Sequence, residues 1–332
     1  MARLLYYPDD RPGITRRRRG RGFSYYAPGG ALIRDADERA RIDSLAVPPA
    51  YADVWISPKP HGHLQATGRD ARGRKQYRYH ADWLAQRDRR KFEGLAAFGR
   101  TLPRIRARIA RGLAAEAGSR DLALSAVLAL IDRSAIRIGA PGYVRENDSY
   151  GATTLRDEHV SFDENGVEIA FPGKRGTPVT CRLRGRRLER ALQQVHDLPG
   201  GDLMSWQDDD GAVHTVRSEE VNALLHDCCG EDMTAKTFRT WNGTLAAFAE
   251  AMRPGPLRIA DMTGAAAARL HNTPAIARKS YVHPAVIALA ELPEGERAEL
   301  LAALDPADPG PLRAHEGALI TFLERHAGLG AT

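Results

Sequence analysis

No apolar run in this chain approaches the length needed to cross a membrane, although 43% of its 332 residues are hydrophobic. A soluble, folded protein long enough for two domains is expected. Cysteine is scarce: Cys181, Cys228 and Cys229 form no CxxC pair, which excludes a zinc ribbon or a disulfide framework and suits a reducing cytoplasm. The opening residues lack the charged start, apolar core and cleavage site of an export signal. No GxxxxGKS or GxxxxGKT string occurs, so nothing points to nucleotide use, and Gly173-Lys174 resembles such a loop only superficially. Ligands at metal spacing are missing too. His61 and His63 lie in a Pro/Gly-rich loop without further partners, and Asp208-Asp209-Asp210-Gly211 reads as a solvated turn.

Charge is present but uneven. The net charge is +6, yet residues 1–90 carry 19 Lys+Arg against 10 Asp+Glu, and the remainder 29 against 32. An excess confined to one segment points to a polyanion bound there, and without an amphipathic basic helix nucleic acid is favoured over an anionic membrane. The same segment reads as strands and turns. Arg16, Arg17, Arg18 and Arg19 form a basic run, Phe23 to Tyr26 a short strand, and Pro28-Gly29-Gly30 its exit. Further on, Lys75, Tyr77 and Tyr79 fall on one side of a strand and Arg74, Gln76, Arg78 and His80 on the other. Basic residues interleaved with Tyr and Gln suit a DNA-facing surface, where cations supply affinity and polar groups probe base edges. Its candidate contacts are the four arginines of the run, Gln65, Arg69, Arg72, Arg74, Lys75, Tyr77 and Tyr79.

After about Lys91 the pattern turns helical, which divides the chain into a β-rich, basic part (1–90) and a mainly helical part (91–332). Leu122, Leu124, Val127, Leu128 and Ile131 make an apolar face running toward Arg137, with Gly139 and Pro141 as the stop. His159 to Leu183 reads as a β-meander, with Glu164-Asn165-Gly166 as its first turn and Gly173-Lys174-Arg175-Gly176 as its second. Ser218, Thr234 and Thr273 are predicted N-caps. Thr273-Pro274 places Tyr281 about two turns into its helix, and Pro284 interrupts or restarts it beyond.

Arg137, Lys174, Lys236, Arg239 and Tyr281 are together the parts needed to cleave a phosphodiester through a tyrosyl-phosphate without a metal. A phenol with a pKa near ~10 is a weak nucleophile at neutral pH and needs cations or a base beside it. Fixed guanidiniums can bind the phosphoryl oxygens on which charge gathers. The departing 5′ oxygen needs a proton, which Lys174 at a hairpin tip is placed to give, and crowding by Arg137 and Arg239 would ease its release. Lys236 and Arg239, three apart on one helical face, can point at one phosphate. Ile136 and Ile138 suggest partial burial of Arg137, whose guanidinium then needs an anionic partner, either a structural carboxylate or a bound phosphate.

These strings resemble the type IB DNA topoisomerases of the small bacterial and poxvirus-like group. The resemblance runs through the arginine run leading to Gly22-Phe23, the Gln65 to Tyr79 segment, Ile136 to Gly139 with Tyr150-Gly151, Phe171 to Lys174, Thr234 to Trp241, and Asn272 to Pro284. It implies an α+β fold: a small β-rich N-terminal domain and a mainly α-helical catalytic domain with a β-meander, closing as a C-shaped clamp on duplex DNA. It further implies a nucleoid-associated, cytoplasmic monomer that requires no ATP and no metal cofactor. By position, Tyr281 would attack the scissile phosphorus and hold the 3′ end, Arg137 and Arg239 would bind the non-bridging oxygens, and Lys174, assisted by Lys236, would protonate the 5′ oxygen. Swivelling of the freed strand would relax positive and negative supercoils. Asn272 stands where many members have His nine residues before the tyrosine; it can donate to a phosphate oxygen in oxyanion binding but carries no charge. A tyrosine recombinase shares this chemistry but usually has His at the place of Lys236 and a helical N-terminal domain. An architectural DNA-binding protein would need only the basic surface.

Overall fold

The arginine run is a strand. The structure is a computed structural model describing residues 3–230, 233–304 and 312–326. In it β1 (Ile14–Arg19) reverses at Gly20, whose φ of +56° suits glycine, into β2 (Gly22–Tyr26), with Arg19 opposite Gly22 and Thr15 opposite Tyr26. With β3 (Ala52–Ile56), β4 (Leu64–Arg69) and β5 (Lys75–Tyr79) they form an antiparallel sheet ordered β2-β1-β3-β4-β5. One face packs Ile14, Val54, Ile56 and Ala66 against Ile42 of α1 (Ala36–Ser44). That helix has no counterpart in the sequence reading, although Asp35 is its N-cap and accepts the Glu38 N–H at 2.8 Å.

Strand alternation sends Arg16 to this inner face beside Ile14. Its guanidinium donates to the carbonyls of Val47, Pro48 and Tyr51 at 2.7–3.1 Å and stacks on Phe23, and burial holds its pKa below the ordinary arginine value. α2 (Ala81–Glu93) starts well before the expected helical onset near Lys91, because the His80 ring accepts the Asp82 N–H and so caps it. It carries the chain across residue 90, where two separate compact units, 1–90 and 91–332, divide.

The second unit contains α3 (Leu95–Gly112), α4 (Arg120–Ser134) and α5 (Pro141–Asn147), then a meander of β6 (Val160–Asp163), β7 (Gly166–Pro172) and β8 (Pro178–Leu183). After α6 (Arg186–His196) come the hairpin β9 (Ser205–Gln207) and β10 (Val213–Thr215), α7 (Ser218–Cys229) and α8 (Ala235–Ala251). α9 (Ile259–Leu270), α10 (Pro274–Tyr281), α11 (Pro284–Ala288), α12 (Glu294–Ala302) and α13 (Glu316–Arg325) complete the α-helices among the described residues. α4 is buried along most of its length, α3 packs on α4 and α13, and α8 packs on α9. Thr234 and Thr273 occupy N-cap positions, whereas α7 is capped one residue earlier than read: the Arg217 N–H donates to Glu220 at 2.8 Å. α4 also stops short of Arg137, because Ala135 turns left-handed (φ 55°) and ends the helix at Ser134.

Arg106 of α3 ties this core together. It donates to both oxygens of Glu316 (2.6 and 2.8 Å) and both of Asp132 (3.2 Å), while Arg313 reaches Asp132 at 2.5 Å and Trp241 donates to Glu316 at 3.2 Å. Burial alone would raise the Glu316 pKa, but Arg106 and the Arg313 N–H outweigh it and hold the carboxyl below its usual range. Arg106→Met leaves the buried Glu316 carboxylate without a cation and Asp132 with Arg313 alone, and is expected to lower stability at neutral pH by about 3–5 kcal/mol, read by urea unfolding. A depressed carboxyl pKa contributes stability above the unfolded value, near ~4.3, that is lost as pH falls through the folded one. The deficit of the variant should therefore shrink in acid.

Candidate active site

Two stretches of the second unit bring their cations to a phenol on a third. Tyr281 is the last residue of α10, Lys236 and Arg239 lie on α8, and Arg137 lies in the extended segment after α4. The backbone of that segment is gripped from the side: the Ala152 N–H donates to Arg137 O at 2.8 Å and the Thr153 N–H to Ile138 O at 2.7 Å. Gly151 makes the approach possible, since a Cβ there would sit 2.5 Å from both Arg137 O and Gly139 N.

Arg239 is only 3% exposed. One terminal nitrogen donates to Ala135 O, the other to Leu270 O at 2.9 Å, and the guanidinium carbon lies 5.1 Å from the Tyr281 ring centre. Both carbonyls mark the ends of helices, next to or at left-handed residues, Ala135 and His271 (φ 50°), where the main chain has acceptors to spare. Burial, helped by the charge of Arg137, lowers the Arg239 pKa to about 10, which leaves it cationic at neutral pH. Arg137 is half-buried and donates to Asn272 Oδ1 at 3.4 Å. Burial lowers its pKa as well, and among the described residues no carboxylate pairs with it.

Two donors are left over. Among the described residues, Arg239 Nε and Asn272 Nδ2 are buried without a hydrogen-bond partner. Such groups are rare in folded proteins and call for an acceptor. Arg137 and Arg239 line one small cleft with Tyr150, Phe171, Gly173 and His271, and Asn272 is linked to it through Arg137. Burial would raise the pKa of Tyr281, but Arg239, Arg137 and Lys236 prevail and hold its phenol below the ordinary tyrosine value. Guanidiniums with spare N–H groups beside an acidified phenol can bind an oxyanion and ready a nucleophile next to it.

Lys174 is exposed on the single turn Lys174–Gly176 joining β7 to β8, and among the described residues nothing ties it to the arginines or the phenol. In the first unit, Arg17, Arg18, Arg19, Arg69, Arg72, Arg74, Lys75 and Tyr77 are exposed, and the Tyr77 and Tyr79 rings stack 6.0 Å apart. Three cations there already have anions: Arg69 pairs with Asp53 at 3.5 Å, Arg74 with Asp70 at 2.8 Å and Lys75 with Asp9 at 2.5 Å. Gln65 does not project outward. It is buried, its amide donates to the carbonyls of Lys59, Pro60 and Gly62, and its oxygen accepts from Arg41. With Arg16 likewise committed to main-chain carbonyls, these two residues shape the unit and leave the exposed cations to meet a ligand. His63 is also structural, accepting the Tyr7 N–H at 2.9 Å and stacking on Tyr6.

Residues missing from the sequence reading include His271, which carries no local signal. Gly243 had one: a glycine inside a good helix weakens it by about 1 kcal/mol and marks a close approach.

Comparison with known proteins gives a consistent set of likenesses. A family pattern described as the catalytic core of eukaryotic DNA topoisomerase I matches residues 74–268, and one for the N-terminal domain of bacterial DNA topoisomerase IB matches residues 22–70. The first spans Arg137, Lys174, Lys236 and Arg239 and ends before Asn272 and Tyr281. The chain is similar to DNA topoisomerase 1B of Acanthamoeba polyphaga mimivirus, with 28% identity over 285 residues covering 81% of this chain and 85% of the relative. It is also similar to DNA topoisomerase I of Monkeypox virus, with 24% identity over 107 residues covering 32% and 34% respectively.

Proposed function

This chain belongs to the type IB DNA topoisomerase family, enzymes that act on DNA, and from that premise we propose that it relaxes positive and negative supercoils through a 3′-phosphotyrosyl intermediate at Tyr281. The observation that carries the reading is the pair of buried, unpartnered donors, Arg239 Nε and Asn272 Nδ2, close to a phenol acidified by three cations. The Tyr281 oxygen attacks the scissile phosphorus as the bond to the 5′ oxygen breaks. Arg137, Arg239 and Asn272 hold the non-bridging oxygens, where charge builds in the transition state. Lys174 comes in from its hairpin tip to protonate the departing 5′ oxygen, with Lys236 assisting.

The ester bond exchanged is conserved in the phosphotyrosine, so the 5′ hydroxyl can reverse the step after strand rotation without a nucleotide or metal. A monomer clamped on duplex DNA belongs to the same proposal. So does phosphate contact by Arg17, Arg18, Arg19, Arg69, Arg72, Arg74 and Lys75, with Tyr77 and Tyr79 against the duplex.

The test is relaxation of plasmids of both supercoil signs in EDTA without ATP, followed by mapping of the trapped adduct. Relaxation of both signs with the adduct on the 3′ end and on the Tyr281 peptide is expected. A requirement for metal, or an adduct on the 5′ end, would refute it.

A further inference from the structure

Because Tyr281 ends α10, the carbonyls of its last turn lack partners inside the helix. Two of them are taken from outside. Lys91 Nζ donates to Ser280 O at 2.9 Å, and Thr244 Oγ1 donates to Tyr281 O at 3.1 Å while accepting the His283 N–H at 3.1 Å. Thr244 is wholly buried. Its neighbour Gly243 leaves the tyrosine no slack: a Cβ at that position would lie 2.9 Å from Tyr281 O and 3.1 Å from Tyr281 Cβ. Gly243 and Thr244 stand about one turn past Arg239 on α8. One helix thus supplies the arginine beneath the phenol, the space for the tyrosine main chain and the hydroxyl that ties it down.

We infer that Thr244, with Lys91 as a second anchor, is a positioning residue for the nucleophile, fixing the Tyr281 main chain on α8 so that the phenol stays over Arg239. The inference rests on Tyr281 being the attacking group. Thr244 acts only through the main chain, and a phenol at the end of a long side chain magnifies any tilt of its backbone. A misplacement of about 1 Å in such a group can lower a rate by about 10²-fold.

The charges facing the phenol are Arg137 from the segment after α4 and Lys236 and Arg239 from α8. Arg278 and Lys279 lie exposed on its own helix. His271 lies near the arginines, with burial and their charge holding it below its ordinary value. His283 beyond the tyrosine is pushed to about 4 by burial and by Lys91, so it is neutral at neutral pH. A phenol that drifts from Arg239 loses its largest stabilising charge, and its proton is then held more tightly.

The experiment is single-turnover cleavage of a suicide duplex across the neutral-to-alkaline range, with thermal melting and duplex binding measured alongside. Thr244→Val is expected to slow cleavage by about 10- to 100-fold, to move the rate–pH midpoint to higher pH and to leave duplex binding unchanged. Thr244→Ser should recover both rate and midpoint. A parental rate in Thr244→Val, or a slower rate with an unmoved midpoint that tracks lost folded protein, overturns the inference. If Thr244→Val does not fold, Gly243→Ala presses on the same carbonyl without deleting a hydrogen bond, and an unmoved midpoint there overturns it too. Tyr281→Phe run in parallel separates the two failures: if it still cleaves, the assignment of the nucleophile is at fault whatever Thr244 does.

Discussion

Tyr281→Phe is expected to bind duplex DNA as the parent chain does and to cleave none of it. The substitution removes one oxygen and leaves a ring of the same shape over Arg239. The cations that hold phosphate are untouched, so affinity should persist, whereas the covalent route is lost and single-turnover cleavage should fall by at least about 10⁴-fold. Stability should change by no more than about 1 kcal/mol at neutral pH. The sign of its pH dependence follows from the lowered phenol pKa. An acid whose folded pKa is depressed contributes stability above its unfolded value, near ~10 for a phenol, and that contribution is lost as pH falls through the folded value. Parent and variant should therefore melt alike near neutrality and diverge in alkali, the parent being the more stable. A covalent adduct formed by the Phe variant would remove Tyr281 from the mechanism.

Arg239→Ala should damage both chemistry and fold. The side chain satisfies two helix-end carbonyls, Ala135 O and Leu270 O, in a buried place. Leaving each without a donor costs about 1–3 kcal/mol, so a clear drop in melting temperature is expected. Cleavage should fall further than the melt alone explains, by about 10³-fold or more, because a fixed donor to the transition-state oxygens is gone. The rate–pH midpoint should also rise, since Arg239 is the largest of the charges acidifying Tyr281. Arg239→Lys is the informative companion. An ammonium keeps the charge but cannot span both carbonyls and still aim a rigid N–H at a phosphate, so it should remain slow. Parental rates from the lysine variant would mean that charge alone is required at this position.

The sequence made some of this legible for identifiable reasons. Asn165-Gly166 and Gly173 to Gly176 mark the turns of the β6-β7-β8 meander because hairpins demand backbone shapes that few residues take. Thr273-Pro274 marks the start of α10, and its hydroxyl accepts the Ile276 N–H. Local pattern fails where distant groups decide. Nothing around Ala135 announces a left-handed residue, so the apolar pattern of α4 points on toward Arg137. Gln65 is a polar residue in a segment read as DNA-facing, yet the loop at Lys59 to Gly62 folds over and consumes its amide. Arg16 looks like its three neighbours but shares a face with Ile14. Thr244 reads as an ordinary helix residue until α10 is laid beside it.

The handholds of Arg239 are peptide carbonyls. A carbonyl is present whichever amino acid a codon specifies, so the anchoring is not encoded by the side chain of Ala135 or Leu270 as such. It survives any replacement that fits the core and keeps the chain bent left-handed at Ala135 and His271. β-Branched residues at those two bends are poorly tolerated and glycine is easily accepted. What heredity must preserve around this arginine is the path of the main chain, and many spellings can encode it.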